Sequence, residues 1–159
     1  MYWGIDIARK VYGLENYARE SVVDVDEEGF LSICLEGLKI KVKDLMDSFN
    51  LSRAYIRILP AIRRSMDLVI NAYKIAAELM NYNGGIIPIY PLKVNPTPLI
   101  VETIAEYGEK YGWGFSAGSL GEIRVLQKLA GKISPRTLIY DGVILGPVLQ
   151  ELLEFDALG

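Results

Sequence analysis

A primary amine closes the most apolar run of this chain. Lys93 ends the stretch Gly84-Gly85-Ile86-Ile87-Pro88-Ile89-Tyr90-Pro91-Leu92 and is followed by Val94 and Asn95. The run is too short for a buried helix and is bounded by glycines and prolines. It therefore reads as one buried parallel strand over residues 84–95, with the lysine at its carboxyl end. In repeated βα architectures the carboxyl ends of the strands are where chemistry is placed. Two roles suit a lysine there. Its stem can pack on Tyr90 while the ammonium reaches water, as strand-end lysines commonly do. Alternatively, partial desolvation at a barrel mouth leaves a free amine that forms a Schiff base with an aldehyde or ketone, the way lysine anchors pyridoxal phosphate. Position alone leaves both open.

Few other residues compete for chemistry. The chain has no histidine among its 159 residues, which removes the commonest acid-base group and the commonest metal ligand. A zinc site and a Ser-His triad are thereby excluded for this chain alone. Its one cysteine, Cys34, lies in Leu31-Ser32-Ile33-Cys34-Leu35 and reads as a small apolar strand residue. The acidic turn Asp24-Val25-Asp26-Glu27-Glu28-Gly29 lacks the alternating ligand register of a calcium loop and reads as a solvated hairpin turn. Gly84-Gly85 opens the lysine strand at its amino end, the wrong end for a phosphate cradle, and reads as a turn. No metal ligands are assigned.

The elements that must position Lys93 follow from periodicity. Residues 1–50 form a small β-rich segment: a hairpin from residues 22–26 and 30–35, a strand over 38–42 and a short helix around 44–49. From residue 51 the pattern becomes repeated βα. Residues 53–59 read as a strand. Pro60 suits a first helical turn, and Ile62, Met66, Val69, Ile70, Tyr73, Ala77 and Met80 share one helical face. After the Lys93 strand, Thr97-Pro98 is an N-cap with proline at the first helical position. Leu99, Ile100, Thr103, Ile104 and Tyr107 then mark a second apolar face. Residues 112–116 form a strand, Ser119 and Glu122 form a capping box, and Gly131 stops that helix. Residues 137–140 and 146–154 give a further strand and helix. About four βα units with right-handed crossovers fit a parallel sheet, either doubly wound or a (β/α)8 barrel that is only half present. The fold class expected is α/β, an incomplete (β/α)8 barrel over residues 51–159 behind the β-rich segment 1–50.

The order of residues narrows the chemistry further. Tyr90-Pro91-Leu92-Lys93-Val94-Asn95 resembles the Y-P-[IL]-K-V-N segment of the biosynthetic arginine decarboxylases, among the barrel-type pyridoxal-phosphate decarboxylases that also act on ornithine and diaminopimelate. Ile58-Leu59-Pro60-Ala61-Ile62-Arg63-Arg64 with Ile70-Asn71-Ala72-Tyr73 is similar to the helix before the family's lysine strand. Tyr82-Asn83-Gly84-Gly85 is similar to its tyrosine-glycine approach. Phe115-Ser116-Ala117-Gly118-Ser119-Leu120-Gly121-Glu122-Ile123 is similar to a family strand-loop-helix, and residues 2–33 to its opening strands. The resemblance implies that Lys93 carries pyridoxal 5'-phosphate as a Schiff base, with Tyr90 and Asn95 shaping the strand end. It places Glu122 at the family's helix-start glutamate, and leaves room for magnesium. Ser116 departs from the pattern: relatives usually place Asp or Glu there, so the serine withdraws a carboxylate from the lysine's surroundings.

The resemblance implies decarboxylation of arginine to agmatine, on the way to polyamines such as spermidine. That chemistry needs an acidic partner for the pyridine nitrogen, a phosphate cradle and a ring-stacking group, which the family takes from later strands. Three readings follow: the amino-terminal part of an arginine decarboxylase, a fragment or split subunit inactive without the remaining barrel half; a catalytically silent relative that binds and modulates a full subunit; or an unrelated α/β module using Lys93 for an anion. An ornithine or diaminopimelate substrate stays open beside arginine. The expected partners are a small amino-acid substrate and the remaining barrel half or a homologous subunit, in an oligomer, with no membrane. A net charge of -3 with scattered lysines and arginines points away from nucleic acid. The absence of a signal-peptide pattern and of any apolar run of about 18 residues gives the expectation of a cytoplasmic protein.

Overall fold

The computed structural model of the chain describes residues 4–14, 22–35, 37–129 and 137–156. They fall into two units, Met1–Ala61 and Ile62–Gly159.

In the first unit, β1 (Val23–Val25), β2 (Leu31–Leu35) and β3 (Leu38–Lys41) form an antiparallel sheet in that order. Val23 stands opposite Ile33, and Ile33 opposite Ile40. The expected hairpin is present. Its turn is built by Asp26, whose side chain accepts the amide hydrogens of Glu28 at 3.0 Å and Phe30 at 2.8 Å. Lys41 answers the remaining acidity, with Nζ at 2.6 Å from Glu28 and 3.4 Å from Asp26. A short helix, α2 (Val42–Ser48), follows β3. The resemblance to opening strands over residues 2–33 is corrected in its first part: α1 (Ile5–Val11) is helical, with Ala8 buried. Asp6 in its first turn and Arg9 and Lys10 in its last match the helix dipole. Arg9 also donates to both carboxylate oxygens of Asp24, at 3.0 and 2.7 Å, tying α1 to β1.

The strand expected over residues 53–59 is absent. Residues 51–58 are irregular, Tyr55 is 98% exposed, and Leu59 already opens α3 (Leu59–Leu79). An isolated β-prone segment gains nothing from extension unless a neighbouring strand takes its backbone groups, and none of the described strands pairs with this one. The helix itself is present as expected. Of the face assigned to it, Met66 and Ile70 are buried, whereas Val69 and Met80 are exposed.

The second unit is built on a parallel sheet, β4 (Ile89–Pro91), β5 (Gly114–Ala117) and β6 (Leu138–Tyr140), in sequential order. Each strand is followed by a helix: α4 (Pro98–Gly108), α5 (Leu120–Leu129) and α6 (Gly146–Asp156). Among the described residues three βα units are therefore present where about four were expected, and strand order does not reverse among them. Gly131, expected to stop α5, lies outside the described residues. The core joins Leu92, Val101, Ile104, Ala105, Phe115, Ala117, Ile123 and Leu126, between the sheet and the helices that cover it.

One polar cluster staples α3 to the end of α4. The Asp67 carboxylate accepts the hydroxyls of Tyr107 and Tyr111, each at 2.6 Å. Lys110 lies 3.4 Å from the same carboxylate and 3.8 Å from the Tyr107 ring centroid.

Candidate active site

The strand expected over residues 84–95 is cut down by its prolines. Pro88 has no amide hydrogen to offer and Pro91 ends the ladder, so only Ile89–Pro91 pairs with β5. The chain then closes into a tight 3₁₀ turn, Leu92–Val94. Leu92 is fully buried and pins that turn to the core. Its neighbour Lys93 necessarily points away, with 65% of its side chain exposed. Lys93 thus lies just beyond the carboxyl end of β4 rather than within it.

Tyr90 and Asn95 shape the exit of that turn. The Tyr90 hydroxyl donates to the Asn95 carbonyl at 3.2 Å, and its ring meets Phe115 edge-on at 6.3 Å. Burial pushes the Tyr90 hydroxyl above its ordinary pKa, which keeps it a donor. The Asn95 side chain accepts the Thr97 amide at 3.1 Å. Thr97 is the N-cap residue of α4 as expected, but its side chain makes no cap bond; Asn95 organises the entry instead.

The capping box before α5 is displaced by one residue. The Glu122 amide donates to Ser119 Oγ at 3.3 Å, as expected. The Glu122 carboxylate, however, reaches past the cap and accepts the amide hydrogen of Gly118 at 2.7 Å. Ser116 is buried on β5, in register with Pro91 on one side and Ile139 on the other.

A carboxylate stands beside the lysine after all. Asp141 follows β6 directly, and its amide donates to the Ala117 carbonyl at 3.0 Å, extending the ladder by one bond. Asp141 Oδ2 is 3.0 Å from Lys93 Nζ. Two glycines let these strand ends close together. A Cβ on Gly118 would fall 2.7 Å from Asp141 Oδ1, and one on Gly142 would fall 2.4 Å from the Gly118 carbonyl. The sequence reading missed Asp141. A signal was available: Tyr140-Asp141-Gly142 occupies the same station after β6 that Lys93 occupies after β4, at the end where βα folds place chemistry.

The carboxyl ends of the sheet therefore gather an exposed amine, its carboxylate partner and a backbone loop locked by Glu122. Such an arrangement presents an amine to a carbonyl compound arriving from solvent. Among the described residues no cluster of histidine, cysteine or acidic side chains is arranged to hold a metal ion. No helix among them is long and apolar enough to cross a membrane.

No family model matches the chain. Sequence comparison finds similarity to the biosynthetic arginine decarboxylase of Phocaeicola vulgatus, 24% identical over 130 residues, spanning 78% of this chain and 20% of that protein. The enzyme of the same name from Photorhabdus laumondii is 31% identical over 139 residues, spanning 79% of this chain and 22% of that protein. The chain thus spans about a fifth of the length of the curated relatives it matches. The fold is similar to the crystal structure of the biosynthetic arginine decarboxylase SpeA from Campylobacter jejuni, with a TM-score of 0.69. That match has 22% sequence identity and covers 84% of this chain and 22% of that one.

Proposed function

We propose that this chain is the lysine-bearing part of an arginine decarboxylase, and that Lys93 is the amine on which pyridoxal 5'-phosphate is held. The observation that carries the reading is an exposed primary amine beyond the carboxyl end of a parallel strand, facing a carboxylate at 3.0 Å, in a chain similar to enzymes of that name. An aldehyde cofactor asks one thing of its anchor, a reachable amine, and Lys93 fits it. When bound, the cofactor supplies an electron sink for the carbanion left as carbon dioxide departs. The protein's own residues do the positioning. Tyr90 and Asn95 fix the turn that presents the amine, Glu122 locks the Gly118 peptide beside it, and Ser116 forms part of the buried floor.

In this reading residues 51–159 are the opening part of a (β/α)8 barrel and residues 1–50 a separate β-rich segment. The sequential parallel order of β4, β5 and β6 supports a barrel, because each crossover advances the sheet in one direction. The groups that would grip the cofactor ring and phosphate, with any magnesium, come from the remaining barrel strands or from a homologous subunit. The setting is cytoplasmic, the assembly oligomeric and the product agmatine, a polyamine precursor.

Co-expression with the remaining barrel strands of a related decarboxylase, assayed by carbon dioxide release from labelled arginine, tests this. Activity that needs both pieces and disappears with Lys93→Ala supports the reading. Activity of the co-expressed pair that survives Lys93→Ala contradicts it.

A silent partner role is a second reading, favoured by one observation. Leu68, Val69, Ile75 and Leu79 of α3, with Met80 just beyond it, are apolar and exposed, a surface that calls for a covering subunit. Modulation of a full-length decarboxylase by a Lys93→Ala chain would favour it over the first.

A further inference from the structure

We propose that Asp141 is the positioning residue of Lys93, parking its amine as an ion pair at the carboxyl ends of the sheet, and that Gly118 is what leaves room for it. The proposal rests on the reading of Lys93 as the reactive amine. Asp141 Oδ2 meets Lys93 Nζ at 3.0 Å, while Oδ1 lies where a Cβ on residue 118 would intrude to 2.7 Å. The backbone behind the carboxylate is fixed by the Asp141 amide on the Ala117 carbonyl at 3.0 Å. The backbone behind Gly118 is fixed by its own amide on Glu122 at 2.7 Å.

The two acids at this end of the sheet thereby divide the work. Glu122 is committed to a peptide group and Asp141 to the lysine. The neutral amine is the nucleophile, so an ammonium bonded to a carboxylate must leave it and give up a proton to solvent water before its nitrogen attacks a carbonyl. Asp141 therefore sets both where Lys93 waits and how readily it leaves. With side-chain exposures of 65% for Lys93 and 36% for Asp141, the pair is one that solvent partly screens, and its hold is modest. A weak latch is what an incoming carbonyl can displace.

Gly118 offers a gentle way to open it. Its backbone is not in the left-handed region, and the atom a Cβ would strike is the end of a short side chain rather than backbone. Alanine there moves the carboxylate without breaking the fold.

Competitive acetylation of the folded chain with an N-hydroxysuccinimide ester, read by peptide mass mapping, tests the pairing without any cofactor. The exposed Lys74 and Lys128 normalise for reagent, and Lys110, paired with Asp67 in the same unit, reports any loosening of the fold. Both Asp141→Asn, which keeps shape and removes charge, and Gly118→Ala are expected to raise Lys93 labelling relative to these references by roughly two- to five-fold. Either variant leaving the ratio at the wild-type value overturns the proposal. Pyridoxal phosphate addition is read separately. If the ratio responds but the aldehyde favours no particular lysine, the cofactor reading fails and the pairing stands.

Discussion

Glu122 accepts the amide hydrogen of Gly118 at 2.7 Å, one residue upstream of the Ser119 cap that the sequence pattern would have it serve. That bond holds the loop between β5 and α5 in the shape that lets Asp141 approach. Glutamine keeps an oxygen acceptor at the same place and alanine does not. Glu122→Gln should therefore melt within a degree or so of the wild type, while Glu122→Ala loses about 0.5–2 kcal/mol, the range for a helix cap. Thermal melts of the two variants check this. Equal losses would mean that the carboxylate acts through its charge rather than as an acceptor for Gly118.

The Asp67 cluster gives the fold a pH dependence of definite sign. The Tyr107 hydroxyl, then that of Tyr111, holds the Asp67 carboxyl below its ordinary value of 3.8. Folding favours the ionised form. Its contribution is fully present above that ordinary value and is lost as pH falls through the lowered value in the folded chain. Asp67→Asn should lower Tm at pH 7 by roughly 2–4 °C and by less at pH 3. A penalty of the same size at both pH values would contradict the assignment.

Two glycines at the sheet make opposite predictions. A Cβ on Gly114 would stand 2.3 Å from the Thr137 backbone carbonyl, the acceptor of the Phe115 amide at 3.0 Å. No rotamer relieves a clash with backbone at the β5–β6 pairing. Gly114→Ala should cost about 1–3 kcal/mol, as overpacking does, or prevent folding. Gly118→Ala clashes with the Asp141 side chain alone, Glu122 Oε2 being in ordinary contact at 3.9 Å, and should melt close to wild type. Denaturant or thermal unfolding of the two checks the pairing of β5 with β6; a well-tolerated Gly114→Ala would place those strands farther apart.

How much of this was legible in the sequence depended on the range of the interaction concerned. The hairpin of β1 and β2 was readable because its cause is local: short β-prone runs around a turn that Asp26 builds from its own neighbours. Strands β5 and β6 were readable because helices flank them. Residues 53–59 misled because Tyr55, Ile56 and Ile58 carry β propensity, whereas a strand also needs a neighbour that local sequence does not reveal. The Lys93 strand was drawn too long because its apolar character outlasts its capacity to pair, which Pro88 and Pro91 limit. Asp141 was missed for the opposite reason. Its partner lies 48 residues away in the chain, and only stacking β4, β5 and β6 side by side brings a lysine and an aspartate to one edge.

Lys93 as the cofactor amine is open to direct measurement. Visible absorbance titration with pyridoxal phosphate of the chain co-purified with the remaining barrel strands, followed by borohydride reduction and peptide mapping, tests it most directly, with Lys93→Ala as control. A reduced adduct concentrated on Lys93, and lost in the Lys93→Ala chain, is the predicted result. Labelling spread over the exposed lysines, or unchanged by Lys93→Ala, would contradict it.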